Sequence, residues 1–121
     1  MKAYTDLEQS KKLAKILPIE SADMRYAPFG DTHPWVWDEE VKLLENGAVP
    51  CWSLAALMEI LPSELQDNHY LTLDKEPYEN GDEYCCCYED CNGNSFRHCF
   101  SDNPVDACYE MIIKLKEKGL I

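Results

Sequence analysis

The chain has little of what export, membrane insertion or phosphate binding requires. No stretch approaches the roughly 18 uncharged apolar residues that span a bilayer. The opening run Met1-Lys2-Ala3-Tyr4-Thr5-Asp6-Leu7-Glu8 lacks the apolar centre of a secretory signal. The expected compartment is therefore the cytoplasm, and no membrane partner is expected. Basic residues are scarce: 11 Lys and Arg stand against 23 Asp and Glu, a formal charge of -12. Such a body repels phosphate backbones, which disfavours direct binding of nucleic acid. Also missing are a Gly-rich phosphate loop, a Ser-His-Asp pattern, a basic patch interleaved with aromatics and an Asp-x-Asp-x-Asp-Gly cation loop. These absences leave no recognisable catalytic signature.

What is present points to one folded core. With 121 residues and 45% hydrophobic content, the chain can close one interior and is short for two, so residues 1–121 are expected to form a single α+β domain. Seven cysteines are an odd number, and with no export signal they are expected to be reduced thiols. Thr5-Asp6-Leu7-Glu8 has the form of a capping box, with Leu7, Leu13, Ala14, Ile16 and Leu17 as an apolar stripe, and it predicts a helix over 6–17 ended by Pro18. Ala22, Met24 and Tyr26 alternate over the length of a short strand. A short helix is expected over 38–47, with Asp38 as its cap and Asn46-Gly47 as its stop. The proline-bounded segment 51–61 reads as a buried helix, Leu54, Leu57, Met58 and Leu61 lying on one face.

The period then changes from helical to alternating. Leu71 and Leu73, the run Tyr84–Tyr88 and the run Phe96–Phe100 predict three strands, with Asn80-Gly81 and Asn92-Gly93 between them as tight turns. A three-stranded antiparallel meander follows. Asn103-Pro104 opens a last helix over 104–118, with Val105, Cys108, Met111, Ile112 and Leu115 on one face and Lys114, Lys116 and Lys118 near its negative end. The expected architecture is this meander packed with two or three helices in layers.

One cluster invites a chemical reading. If Asn92-Gly93 are the two central residues of their hairpin, Cys87 faces His98, Cys86 faces Cys99 and Cys85 faces Phe100. Cys85, Cys87 and His98 would then share one sheet face, and Cys86 and Cys99 the other. Tetrahedral zinc takes four converging ligands, usually from Cys-x-x-Cys knuckles, and this face offers three. The competing reading is that the thiols are small apolar fillers of a strand, since reduced Cys is among the most buried residue types. The filler reading is the one preferred on sequence, with no metal and no cofactor expected.

A Cys86–Cys99 disulfide is disfavoured in a reducing compartment. Cys87 opposite His98 and Cys51 at a helix start are partial versions of an activated thiol, but surrounding acids raise a thiol pKa. The acidic pairs Asp38-Glu39-Glu40 and Glu89-Asp90 read as solvated surface. Phe29, Trp35 and Trp37 lie in a segment interrupted by Pro28, Gly30 and Pro34. They are candidates for an interaction surface, set against the reading in which their rings fold back over the core.

Three stretches carry a resemblance: Tyr4-Thr5-Asp6-Leu7-Glu8-Gln9-Ser10, Pro50-Cys51-Trp52-Ser53-Leu54-Ala55-Ala56-Leu57 and Asn103-Pro104-Val105-Asp106-Ala107-Cys108. Together they resemble small uncharacterised proteins encoded in prophages and mobile elements of gut bacteria. More loosely, a helix, a three-stranded meander and a helix opening with Pro is similar to the phage ABA-sandwich domain. The resemblance implies helix-sheet-helix layering and a phage or mobile-element context, and it carries over no site residue. The resulting expectation is a small non-enzymatic accessory or interaction protein with a protein partner. Two alternatives stand beside it: a zinc or thiol site at Cys85, Cys87 and His98, and an acidic decoy that binds a basic host protein.

Overall fold

A computed structural model describes residues 1–28, 33–37, 46–66 and 68–121, with Phe96 described by its backbone alone. The fold is α+β, and the chain divides into two compact units, one of Ala3–Ala56 and one of Met1–Lys2 with Leu57–Ile121. Among the described residues no helix is long and apolar enough to cross a membrane.

In the Ala3–Ala56 unit, helix α1 (Leu7–Ala14) packs on an antiparallel sheet of order β2-β1-β3, formed by β1 (Met24–Tyr26), β2 (Trp35–Val36) and β3 (Val49–Cys51). The short strand expected around Met24 is β1. The capping box sits one residue later than Thr5 predicts. Asp6 accepts from the Gln9 amide at 2.8 Å, while Gln9 Oε1 accepts from the Asp6 amide at 3.1 Å. A carboxylate at this position also faces the positive end of the helix dipole. Thr5 is released for the interior, where its hydroxyl bonds to that of Ser10 at 2.7 Å and accepts from the Trp52 amide at 3.2 Å. The α1 face that is buried consists of Ser10 and Leu13, while Leu7 and Ala14 remain exposed. The helix gives out before Pro18 because the Leu13 carbonyl accepts from both Ile16 and Leu17, tightening the last turn.

The helix expected over 51–61 is shorter. Val49, Pro50 and Cys51 are extended and pair with β1, and helix α2 runs over Leu54–Ile60. Pro50 is tolerated because β3 is an edge strand. Ser53 caps α2, accepting from the Ala56 amide at 3.2 Å and donating to the Asp23 carboxylate. The helix expected over 38–47 falls mainly on residues 38–45, outside the described residues.

In the other unit the meander is present and longer than its alternation suggests. Strands β5 (His69–Tyr78), β6 (Gly81–Glu89) and β7 (Ser95–Ser101) follow one another, and β4 (Glu64–Leu65) adds a fourth strand at the β5 edge. Helix α3 (Pro104–Glu117) packs on β6 and β7. It is capped by Asn103, which accepts from the Asp106 amide at 2.8 Å, with Pro104 in the first turn, as its sequence predicts. Val105, Cys108, Met111, Ile112 and Leu115 are all fully buried. Each large apolar side chain among them contributes about 1.5–3 kcal/mol.

Candidate metal centre

The position of every donor in the cysteine-rich sheet follows from two hairpins. Between β5 and β6 the loop residues are Glu79 and Asn80, and the register sets Thr72 opposite Cys87 and Asp74 opposite Cys85. Between β6 and β7 the loop is not the two-residue Asn92-Gly93 turn. Gly93 donates to the Asp90 carbonyl at 3.1 Å and Asp90 donates to the Asn94 carbonyl at 3.0 Å, so Cys91, Asn92 and Gly93 form a three-residue loop. Gly93 takes φ 79° there, the left-handed position that such a loop requires. The Asp90 carboxylate secures the turn by accepting from the amides of Asn92 and Asn94, both at 2.9 Å.

That extra loop residue displaces the pairing by one, as in Tyr88 opposite Phe96 and Glu89 opposite Ser95. A bulge then restores it. Cys86 faces Cys99 and Cys85 faces Phe100, so two residues of β7, Arg97 and His98, oppose Cys87 alone. Arg97 takes φ 57°, the left-handed conformation of the first residue of such a bulge. The three-residue loop and the bulge cancel, and beyond the bulge the register matches that of a two-residue turn.

Alternation now sorts the thiols. Cys86 faces α3, where it donates to Cys108, and Cys99 lies beside it. Cys85 and Cys87 point to the other face with His98, and the two sulfurs and a ring nitrogen lie within 4.8 Å of one another. A second triad on the same face, Asp74, Cys87 and Glu89, meets the same limit. Cys85 and Cys87 are buried, Glu89 is half-buried, and Asp74 and His98 are exposed. The Cys87 sulfur lies 2.9 Å from the Thr72 hydroxyl and donates to Glu89 Oε1 at 3.6 Å. The His98 ring stacks on Phe100, with centroids 5.7 Å apart and planes 4° apart, and the His98 carbonyl accepts from Lys114 Nζ at 2.8 Å.

The electrostatics of this face hold the thiols protonated. Burial pushes Cys85 up to about 12, helped by its hydrogen bond and proximity to Cys87 and by the carboxylates of Asp74 and Glu76. Burial also raises Cys87, against hydrogen bonds from Thr72 and Cys85 that lower it. Neither is the low-pKa thiol that a nucleophile needs. Cys51 is raised by burial too and donates to the Thr5 carbonyl at 3.4 Å, so it packs as an interior thiol of β3. All seven cysteines are free, Cys91 being exposed in its loop.

The structure separates the three aromatic candidates. Trp37 is only 5% exposed, Trp35 on the edge strand β2 is 61% exposed, and Phe29 lies outside the described residues.

Thr72, Asp74 and the role of Glu89 escape a reading that follows cysteines alone. Their signal is parity. Centring the first hairpin on either Glu79-Asn80 or Asn80-Gly81 changes the register by two, so Thr72 and Asp74 share a face with Cys85, Cys87 and Glu89 in both cases. No family model, curated protein or solved structure matches this chain, so its chemistry is read from its own residues.

Proposed function

We propose that this protein binds a soft divalent cation, zinc in first place, through Cys85, Cys87 and His98. The observation that carries this reading is the convergence of two sulfurs and an imidazole nitrogen within 4.8 Å on one sheet face. Bond lengths of about 2.0–2.3 Å place the donors of a tetrahedral zinc about 3.5–3.8 Å apart, so the triad has to contract by at most about 1 Å to reach that geometry. Thiolate and imidazole donors suit zinc over magnesium or calcium. The cation displaces the protons that burial holds on both thiols. Because its ligands come from β6 and β7, it would also clamp that hairpin.

The test is metal titration of the chelator-stripped, reduced protein with cobalt(II) as a spectroscopic substitute. A thiolate-to-cobalt charge-transfer band that zinc bleaches, that Cys85→Ser diminishes and that His98→Ala shifts to higher cobalt concentration, is the expected result. A protein that takes up neither ion at stoichiometric concentration is not a metal protein of this kind.

A second reading is an acidic interaction protein that engages a basic protein partner, and two observations favour such an interaction. Trp35 and Val36 on the edge strand β2 are 61% and 74% exposed, and the chain carries a charge of -12. Salt-sensitive capture of a basic protein, weakened by Trp35→Ala, is its expected signature.

A further inference from the structure

We infer that the sheet face holds two cations, with the Cys87 thiolate bridging them. This rests on the metal reading above and extends it. The five donors do not form one set: they form two triads, Cys85–Cys87–His98 and Asp74–Cys87–Glu89, each with its donor atoms within 4.8 Å of one another, and Cys87 belongs to both. A thiolate sulfur carries lone pairs enough for two cations, and its place between the triads gives each ion one shared ligand and two of its own. The first position is soft, with two sulfurs and a nitrogen. The second is harder, with one sulfur and two carboxylates, a set that zinc, cobalt and manganese accept.

Charge supports two ions over one. Cys85, Cys87, Asp74 and Glu89 supply four negative charges once both thiols have released their protons, and His98 supplies none. For these donors alone, one divalent ion leaves two negative charges and two ions balance them, while Glu76 and Glu83 on the same face add to the attraction for cations. Among the described residues, neither Asp74 nor Glu89 forms an ion pair with Lys or Arg; the side-chain pairs described are Lys2–Asp106 and Lys75–Asp82. Lys75 cannot serve here, because it faces Tyr84 and so sits on the α3 side of the sheet. Glu89 instead accepts from the Cys87 sulfur at 3.6 Å, which ties one carboxylate of the second triad to the shared ligand. Thr72, 2.9 Å from the Cys87 sulfur through its hydroxyl, positions that sulfur between the two sites.

The experiment is cobalt(II) titration of the full-length, reduced, chelator-stripped protein, followed optically, with zinc counted by elemental analysis after desalting. The wild type should saturate at two equivalents. The double variant Asp74→Asn, Glu89→Gln should saturate at one and keep the charge-transfer band. His98→Ala should weaken the first equivalent at least tenfold, and Cys87→Ser should lose both. Saturation of the wild type at one equivalent, unchanged by the carboxylate substitutions, overturns the bridged pair and leaves the single-ion reading standing. No uptake at all overturns both. The carboxylate variant alters only exposed and half-buried positions, so it decides the question even where Cys87→Ser fails to fold.

Discussion

The two faces of β6 carry the same residue type in different surroundings. On one, Cys86 lies under α3 beside Cys99 and Cys108, and Met58 accepts from the Cys108 sulfur at 3.6 Å. On the other, Cys85 and Cys87 meet Thr72, Asp74, Glu89 and His98. Buried thiols among apolar groups and sulfur are packing material. Buried thiols beside carboxylates and an imidazole are the donors on which the proposed metal site rests. A Cys-Cys-Cys run thus has no single meaning, because the strand's alternation puts adjacent thiols in an apolar interior and in a set of polar donors.

The contrast can be broken most severely from the covered side. Ile112→Ala in α3 removes a fully buried side chain and should cost about 2–5 kcal/mol in denaturant unfolding. Metal uptake per folded molecule should be unchanged if the two faces are independent.

Serine scanning compares the faces directly. Cys86→Ser places a hydroxyl under α3 and should cost about 1–3 kcal/mol. Cys85→Ser, whose hydroxyl can reach nearby carboxylates, should cost less than about 1 kcal/mol in metal-free protein. Equal costs would show that the second face is as apolar in practice as the first.

Alkaline titration sharpens the comparison further. Cys86 is held protonated by its hydrogen bond with Cys108 and then by burial, Tyr88 chiefly by burial, and Cys85 by burial up to about 12. Each group has a higher pKa folded than unfolded. The stabilisation is therefore whole below the unfolded thiol value of about 8.5 and is lost as pH rises toward the folded values. The denaturant midpoint of metal-free protein should hold steady to about pH 8 and fall above it. Zinc should make that decline shallower by removing the protons of Cys85 and Cys87 from the titration, and a zinc-independent decline would contradict the assignment.

Helix α3 was legible because three signals coincide in it: Asn103-Pro104 at the start, a stripe of five buried residues, and lysines at the end. The runs behind β6 and β7 were legible through their aromatic and Cys content. Two-residue strands such as β4 and β2 are too short for any period to show. Cys51 read as helical because its segment is almost wholly apolar, and in such a run local pattern does not separate a buried strand end from a buried helix start. The cap of α1 moved by one residue because Thr5-x-x-Glu8 and Asp6-x-x-Gln9 are overlapping frames, and burial of Thr5 decided between them. For the site, Cys85, Cys87 and His98 were placed on one face by a two-residue turn that the protein lacks. The face came out right because the bulge at Arg97 cancels the extra loop residue. The carboxylates carry no local mark in an acidic chain, and only the parity of the β5–β6 hairpin puts Asp74 and Glu89 on the face of Cys85 and Cys87.

Arg97 has a consequence of its own. Excise it on paper, and the three-residue loop leads into an unbroken ladder in which His98 still meets Cys87 and Cys99 still meets Cys86. It is thus a surplus rung, held in a conformation that costs a non-glycine residue about 1–2 kcal/mol. Strand length and side-chain parity are uncoupled at this one place, so lineages that drop the arginine would keep the same sulfurs and the same imidazole on the same side of the sheet.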